Sequence, residues 1–182
     1  MYLIILGPPG AGKGTQSILI AEKMGLKHLS TGEILRKAVT DETPLGLKAK
    51  EVMDSGNLVS DEIMVGIVTE AISADDAKGG FILDGFPRTI EQAKELDKIM
   101  ESLGYSSAKV INITLDDEEL VRRMLGRGRK DDTEETIKNR LKVYKGQTAP
   151  VKEHYSSKSA VFDIYGIGSI SEINNKILEV LK

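Results

Sequence analysis

The sequence contains no cysteine and no tryptophan, and only two histidines, His28 and His154, among its 182 residues. The first absence excludes disulfides and any zinc site built on thiolates, and so few imidazoles exclude a histidine-rich metal centre. Aromatic residues make up 4% of the chain, too few for a platform that stacks single-stranded nucleic acid. A net charge of −3 argues against a binder held mainly by nucleic-acid phosphates. Long apolar runs are missing as well. Tyr2 to Leu6 is far short of a membrane span and has no basic residues before it, so it reads as neither an anchor nor a signal peptide. What remains is a cytoplasmic protein with neither nucleic acid nor membrane among its partners. Its 40% hydrophobic and 29% charged residues are the balance of one folded domain.

The apolar runs that are present are short and alternate with helical patterns. Leu3 to Leu6, Phe81 to Leu83, Val110 to Leu115 and Ala160 to Ile164 read as buried strands, and His28-Leu29 marks a short fifth. A helix is expected from about Lys13 to Met24. Others follow from Leu120, Val121, Met124 and Leu125, from Ile137, Leu141 and Tyr144, and from Ile170, Ile173, Ile177, Leu178 and Leu181. Alternation of this kind predicts a parallel sheet covered on both faces. Residues 30–75 break it. They carry several helical stretches and no good strand, begin on a Ser30–Glu33 capping box, and are punctuated by Pro44 and Gly56. They read as a helical insertion at one edge of the sheet.

Gly7-Pro8-Pro9-Gly10-Ala11-Gly12-Lys13-Gly14-Thr15 is the strongest motif. It is a phosphate-binding loop in the required place, after a strand and before a helix. Its glycines let the backbone wrap an anion and point successive N–H groups inward, and the helix N-terminus adds its dipole. Lys13 supplies a point charge for phosphate. Gly14, not a hydroxyl residue, follows the lysine, so direct magnesium ligation from that position is unavailable, and Thr15 assists through phosphate or water. A glycine-rich turn that binds nothing is the competing interpretation.

Phe81-Ile82-Leu83-Asp84 ends an apolar strand in a carboxylate, which suits a residue that meets magnesium through water. The alternative is an aspartate that only turns the chain before Gly85. No glutamate follows to activate water, and Asn175-Lys176-Ile177-Leu178 fails as a guanine-reading motif at its last position. Transfer of a phosphoryl group to a bound acceptor therefore fits better than hydrolysis or guanine switching. Such transfer gathers negative charge, and arginines can neutralise and align it. Arg36, Arg88, Arg129 and Arg140 are candidates, as are Arg123 and Arg127, four apart on one helical face. Arg122, Arg123, Arg127, Arg129 and Lys130 place five basic residues within 122–130 with no acid among them. Charges offsetting a helix C-terminus are the other explanation, and they account for Arg122.

Together these stretches resemble the adenylate kinases of the nucleoside monophosphate kinase group. The match rests on the loop at 7–15, Leu29-Ser30-Thr31-Gly32-Glu33-Ile34-Leu35-Arg36, Gly56-Asn57-Leu58-Val59-Ser60-Asp61 and Asp84-Gly85-Phe86-Pro87-Arg88, extended by Arg129-Lys130-Asp131-Asp132 and Arg140. The resemblance implies an α/β fold of the P-loop kinase type, a five-stranded parallel sheet with helices on both faces. It implies one domain: a core of 1–29, 60–125 and 133–182, a helical nucleoside monophosphate-binding region at 30–59, and a lid at 126–132. It further implies reversible, magnesium-dependent conversion of ATP and AMP into two ADP by a monomer.

Residue by residue, Gly10, Ala11, Gly12, Lys13, Gly14 and Thr15 would hold ATP phosphates, with Arg127, and Gly168 would meet the ATP adenine. Thr31, Arg36, Asn57, Leu58, Val59, Gly85, Phe86, Pro87, Arg88 and Gln92 would bind AMP, and Arg129 and Arg140 would complete its phosphate site. Lys13, Arg88, Arg123, Arg129 and Arg140 would be catalytic. Asp84 would approach Mg2+ through water. Gln92 keeps two readings, since Thr89-Ile90-Glu91-Gln92 is also a capping box; Met53 and Leu58 could wall the adenine or belong to the core. Many bacterial members carry a long lid, some with zinc; this chain has a short lid and no cysteine, hence no zinc. Two alternatives stay open: a UMP/CMP kinase, for which a small apolar residue in place of Thr31 is usual, and an ATP-binding switch that transfers nothing.

Overall fold

The computed structural model describes residues 1–129 and 131–182. β1 (Tyr2–Leu6) is buried along nearly its whole length, and its side chains divide by parity. Ile4 and Leu6 join one apolar cluster, Leu3 and Ile5 a second. Burial on both faces is what a central parallel strand demands. Around β1 lie β2 (Lys27–Ser30), β3 (Phe81–Asp84), β4 (Lys109–Thr114) and β5 (Val161–Tyr165), all paired parallel in the order β2-β3-β1-β4-β5. The expected five-stranded parallel α/β sheet is what forms. β2, signalled in the sequence only by His28-Leu29, gains its length from pairing with β3, His28 opposite Ile82 and Leu29 opposite Leu83.

The helices are α1 (Lys13–Met24), α2 (Thr31–Thr40), α3 (Pro44–Asp54), α4 (Asp61–Ser73), α5 (Ile90–Ser102), α6 (Asp117–Gly126), α7 (Glu134–Val143), α8 (Ala149–Ser156) and α9 (Ile170–Leu181). Side chains of α1, α6, α7 and α9 fill the cluster on one face of the sheet; those of α2, α3, α4, α5 and α8 fill the other. The broad region at 30–75 is helical, as expected, with α2, α3 and α4 in it.

Short polar side chains set most helix starts. Ser30 accepts from the Glu33 N–H at 3.4 Å, Thr43 from Gly46 at 3.1 Å, Thr89 from Gln92 at 3.1 Å and Thr133 from Thr136 at 3.1 Å. Of the expected box at Ser30 and Glu33, the half donated to the serine is present. A reciprocal box forms instead at Ser169 and Glu172 before α9, on the same Ser-x-x-Glu spacing. Leu125, read as part of the α6 apolar stripe, is exposed because Leu120 and Met124 already fill the contact with the sheet.

The chain leaves β1 and β4 toward one face, into α1 and α6, and leaves β3 toward the other, into α5. A crevice opens beyond the carboxyl ends of these strands, where open α/β sheets place ligands. Leu6, Ser30 and Asp84 all end there.

Candidate functional site

The phosphate loop occupies the middle of this crevice. Gly12 has φ 92°, a left-handed conformation natural to glycine, and stands at the N-cap of α1. No side chain caps that helix and its first turn holds no acid, so its leading N–H groups are left for an anion. The Lys13 ammonium folds back and donates to the carbonyls of Gly7 at 2.8 Å and Pro8 at 2.9 Å. Its pKa is pushed down to about 8, chiefly by burial and also by the charges of Arg88, Arg127 and Arg129, against the upward pull of Asp84. A side chain at Gly14 would come 3.3 Å from Asp84 Oδ2. The glycine that removes the customary hydroxyl thus makes room for the carboxylate at the end of β3.

Asp84 is buried. Burial alone would raise its pKa, but the neighbouring His28 ring and the charges of Lys13 and Arg88 outweigh it and hold the carboxyl below its ordinary value. The closest His28 ring nitrogen, Nε2, lies 3.9 Å from Asp84 Oδ2. Among the described residues no three His, Cys, Asp or Glu side chains gather as a metal-holding group.

Six arginines line the same cleft of about 620 Å3 as the loop: Arg36, Arg88, Arg123, Arg127, Arg129 and Arg140. They come from α2, the β3–α5 turn, α6 with its C-terminal residues, and α7, so only the fold unites them. Each described anchor is different. Arg88 Nε donates to the Gly85 carbonyl at 2.7 Å, and the Arg88 carbonyl accepts from Thr148 Oγ1 at 2.9 Å. Arg123 spans Glu119 at 2.6 Å and the Gly166 carbonyl at 3.0 Å. Arg127 grips both oxygens of Asp132, at 2.5 and 2.8 Å. Arg140 donates to Asp132 at 2.6 Å and to Asp131. Burial lowers the pKa of Arg88, and Arg140 and Arg36 lower it further against the pull of Asp84. Arg129 is lowered by burial and then by Arg127 and Arg36. An arginine so placed stays charged, so cations crowd here at a cost that a polyanion relieves.

On the side of α2 to α4, Thr31, Asn57, Leu58, Val59, Gly85, Pro87 and Gln92 line the cleft, with Met53. Thr31 Oγ1 donates to the Asp84 carbonyl at 3.3 Å. Phe86 and Pro87 are joined by a cis peptide bond. Gln92 engages both ends of its amide: Oε1 accepts from the Arg88 N–H at 2.7 Å and Nε2 donates to Asp61 at 2.7 Å. Its own N–H caps on Thr89, but its side chain returns to Arg88 and not to Thr89, so the anticipated box is altered.

Three of the sequence candidates do not reach the wall. Ala11 and Phe86 are buried in the two apolar clusters, which explains why they could offer backbone only. Gly168 sits exposed on the β5–α9 turn beside Glu172. Lys130, grouped with the basic stretch and within the lid at 126–132, lies outside the described residues. Arg122 is exposed and pairs with Glu119, as expected of a helix-surface charge. Residues that sequence reasoning passed over include Asp61, Glu119, Thr136, Asn139 and Thr148. Thr136 and Asn139 tie α7 to the end of α3: Thr136 Oγ1 donates to the Asp54 carbonyl at 3.2 Å, and Asn139 Nδ2 donates to the Ser55 carbonyl at 2.7 Å and Asn57 Oδ1 at 3.0 Å. Only the sequence spacing within α7 hinted at a shared face.

The family model for adenylate kinase matches residues 5–160. The chain belongs to the adenylate kinase family. It is 49% identical over 181 residues to the adenylate kinase of Leptospira biflexa serovar Patoc, covering 97% of each chain. It is 45% identical over 179 residues to adenylate kinase 1 of a Nostoc species, covering 98% of this chain and 97% of the relative. With the adenylate kinase of Geotalea daltonii the identity is 44% and both chains are covered in full, but the alignment runs to 213 positions. That relative therefore carries residues for which these 182 have no counterpart. Family membership makes the protein a phosphotransferase and disfavours the UMP/CMP alternative.

Proposed function

We propose that the protein transfers a phosphoryl group reversibly from Mg-ATP to AMP, giving two ADP. The observation that carries this is the sharing of one cleft by a phosphate loop and six arginines drawn from distant elements. A simple nucleotide-binding switch needs the loop and has no use for the rest. The loop, with Lys13 and Arg127, takes the ATP phosphates. Arg36, Arg88, Arg129 and Arg140 take the AMP phosphate, Thr31, Asn57 to Val59, Gly85 to Pro87 and Gln92 take the nucleoside, and Arg123 holds the transferred group between them.

In the forward direction an AMP phosphate oxygen forms a bond to the γ-phosphorus as the bond to the β–γ bridging oxygen breaks, and ADP leaves. The attacking oxygen belongs to a phosphate already stripped of protons near neutral pH, so no general base is required. The protein's task is alignment and neutralisation. Lys13 exchanges its two carbonyl partners for phosphate oxygens. Rigid guanidiniums fix the acceptor in line.

Magnesium fits as a companion of ATP. One buried carboxylate, Asp84, faces the loop across the space that Gly14 leaves, which suits contact through water and not a protein-built cage. The ion would supply charge neutralisation at the bridging phosphates. The reading includes a cytoplasmic monomer that closes 30–59 and 126–132 over its substrates, which would exclude water. The test is diphosphate formation from Mg-ATP with AMP, CMP, UMP or GMP. AMP is expected to be the preferred acceptor; preference for CMP or UMP would overturn the reading.

A further inference from the structure

Gln92 is 1% exposed, yet it reaches the wall of the cleft. The two ends of its amide are held by groups of opposite kind. Oε1 accepts from the backbone N–H of Arg88, and Nε2 donates to Asp61 Oδ1, both at 2.7 Å. The other Asp61 oxygen accepts from the Thr89 hydroxyl at 3.0 Å, and that hydroxyl accepts from the Gln92 N–H at 3.1 Å. A backbone N–H can only donate, and an ionised carboxylate can only accept. Turning the amide over would set its oxygen against the carboxylate and its NH2 against the Arg88 N–H. Each mismatch would leave a buried polar group unpaired. Asp61 itself does not line the cleft. It stands in the first turn of α4, two residues after Val59.

We propose that Asp61 is a specificity-determining positioning residue: by locking the Gln92 amide it sets which base edge the acceptor side admits. The proposal rests on the reading that Gln92 faces the acceptor base. Locked in this way, the amide keeps one N–H and one oxygen lone pair unused. That pair complements the edge of a 6-aminopurine, where an amino donor adjoins a ring-nitrogen acceptor. It opposes a 6-oxopurine, whose edge offers an oxygen acceptor beside a ring N–H donor. An amide free to turn would serve both. Sites that hydrogen-bond one such pattern reject its reverse because their own groups go unpaired.

The test compares kcat/KM for AMP and for IMP, which differ in this edge, in the wild type, Asp61→Ala, Asp61→Asn and Gln92→Ala. Asp61→Ala is expected to lower the AMP-to-IMP ratio about tenfold, mostly through KM for AMP. Asp61→Asn should restore most of it, since its oxygen still accepts from Gln92 while its amide turns to the Thr89 hydroxyl. Thr89→Val, which frees the second carboxylate oxygen, should move the ratio the same way by about threefold; it provides the answer should Asp61→Ala not fold. Gln92→Ala should lower the ratio at least as far as Asp61→Ala. If Gln92→Ala leaves the ratio unchanged, Gln92 does not read the base and the underlying reading falls. If Gln92→Ala lowers it but Asp61→Ala or Thr89→Val does not, or if these reduce AMP and IMP turnover equally, the proposal alone is overturned.

Discussion

The two walls of the cleft are built by opposite means. The wall proposed for ATP is, apart from Arg127, one continuous stretch, Gly7 to Thr15, whose groups are mostly main-chain N–H aimed by glycine torsions and a helix start. The wall proposed for AMP is assembled from side chains on α2, the α3–α4 segment, the β3–α5 turn and α7. Its Arg140 is held by Asp131 and Asp132, and Asp132 also grips Arg127, the arginine proposed for the ATP phosphates. The first wall is set by local backbone geometry. The second depends on how far-apart segments meet, so residues outside the cleft wall can retune it.

The comparison can be broken from either wall. Lys13→Met should have the largest effect, a loss of about 10³ in kcat, because it removes a charge at the transferred group. The thermal midpoint should hold or rise, since the same ammonium is buried among cations; unchanged turnover would remove Lys13 from the chemistry. Arg88→Ala should cost about 10² in kcat and also raise KM for AMP, leaving KM for ATP nearly unmoved. Equal effects on both substrates would show that the two walls are not separable.

A pH profile sharpens the same contrast. The Lys13 pKa is pushed down from 10.5 to about 8. In the free enzyme its charge is therefore lost as pH rises through about 8, and kcat/KM for ATP, which reports the free enzyme, should fall above that value. Stability runs the other way. Between about 8 and 10.5 the unfolded chain holds the proton that the folded chain has released, so stability should rise with pH across that window. Lys13→Met should lack this rise. The smallest effect is expected on the AMP side. Asn139→Ala with Thr136→Val severs the ties between α7 and the 54–57 segment and should raise KM for AMP about three- to tenfold with kcat unchanged or higher. A matching rise in KM for ATP would contradict the assignment of that segment to AMP.

The same asymmetry decided what could be read from the chain alone. The loop, its strand and its helix were legible because every residue involved lies in one unbroken stretch, Tyr2 to Met24. The strands were legible as apolar runs, including the brief one at His28-Leu29. The arginines were legible as unspent charge, but not their partners. Nothing in the spacing of Asp131 and Asp132 says that one carboxylate serves both Arg127 and Arg140. Asp61 is a further case. Its position after Val59-Ser60 reads as an ordinary first-turn acid of α4, and only the packing of α4 beside α5 brings it to Thr89 and Gln92. The loss of the anticipated Thr89–Gln92 box has the same origin, since a tertiary partner claimed the amide.

Following the γ-phosphoryl group itself tests the central claim most directly. With ATP labelled at the γ-phosphorus, magnesium and AMP, the label should appear in the β-position of ADP, in step with consumption of AMP and with little inorganic phosphate. Label released as inorganic phosphate while AMP persists would contradict a cleft built for transfer between two nucleotides.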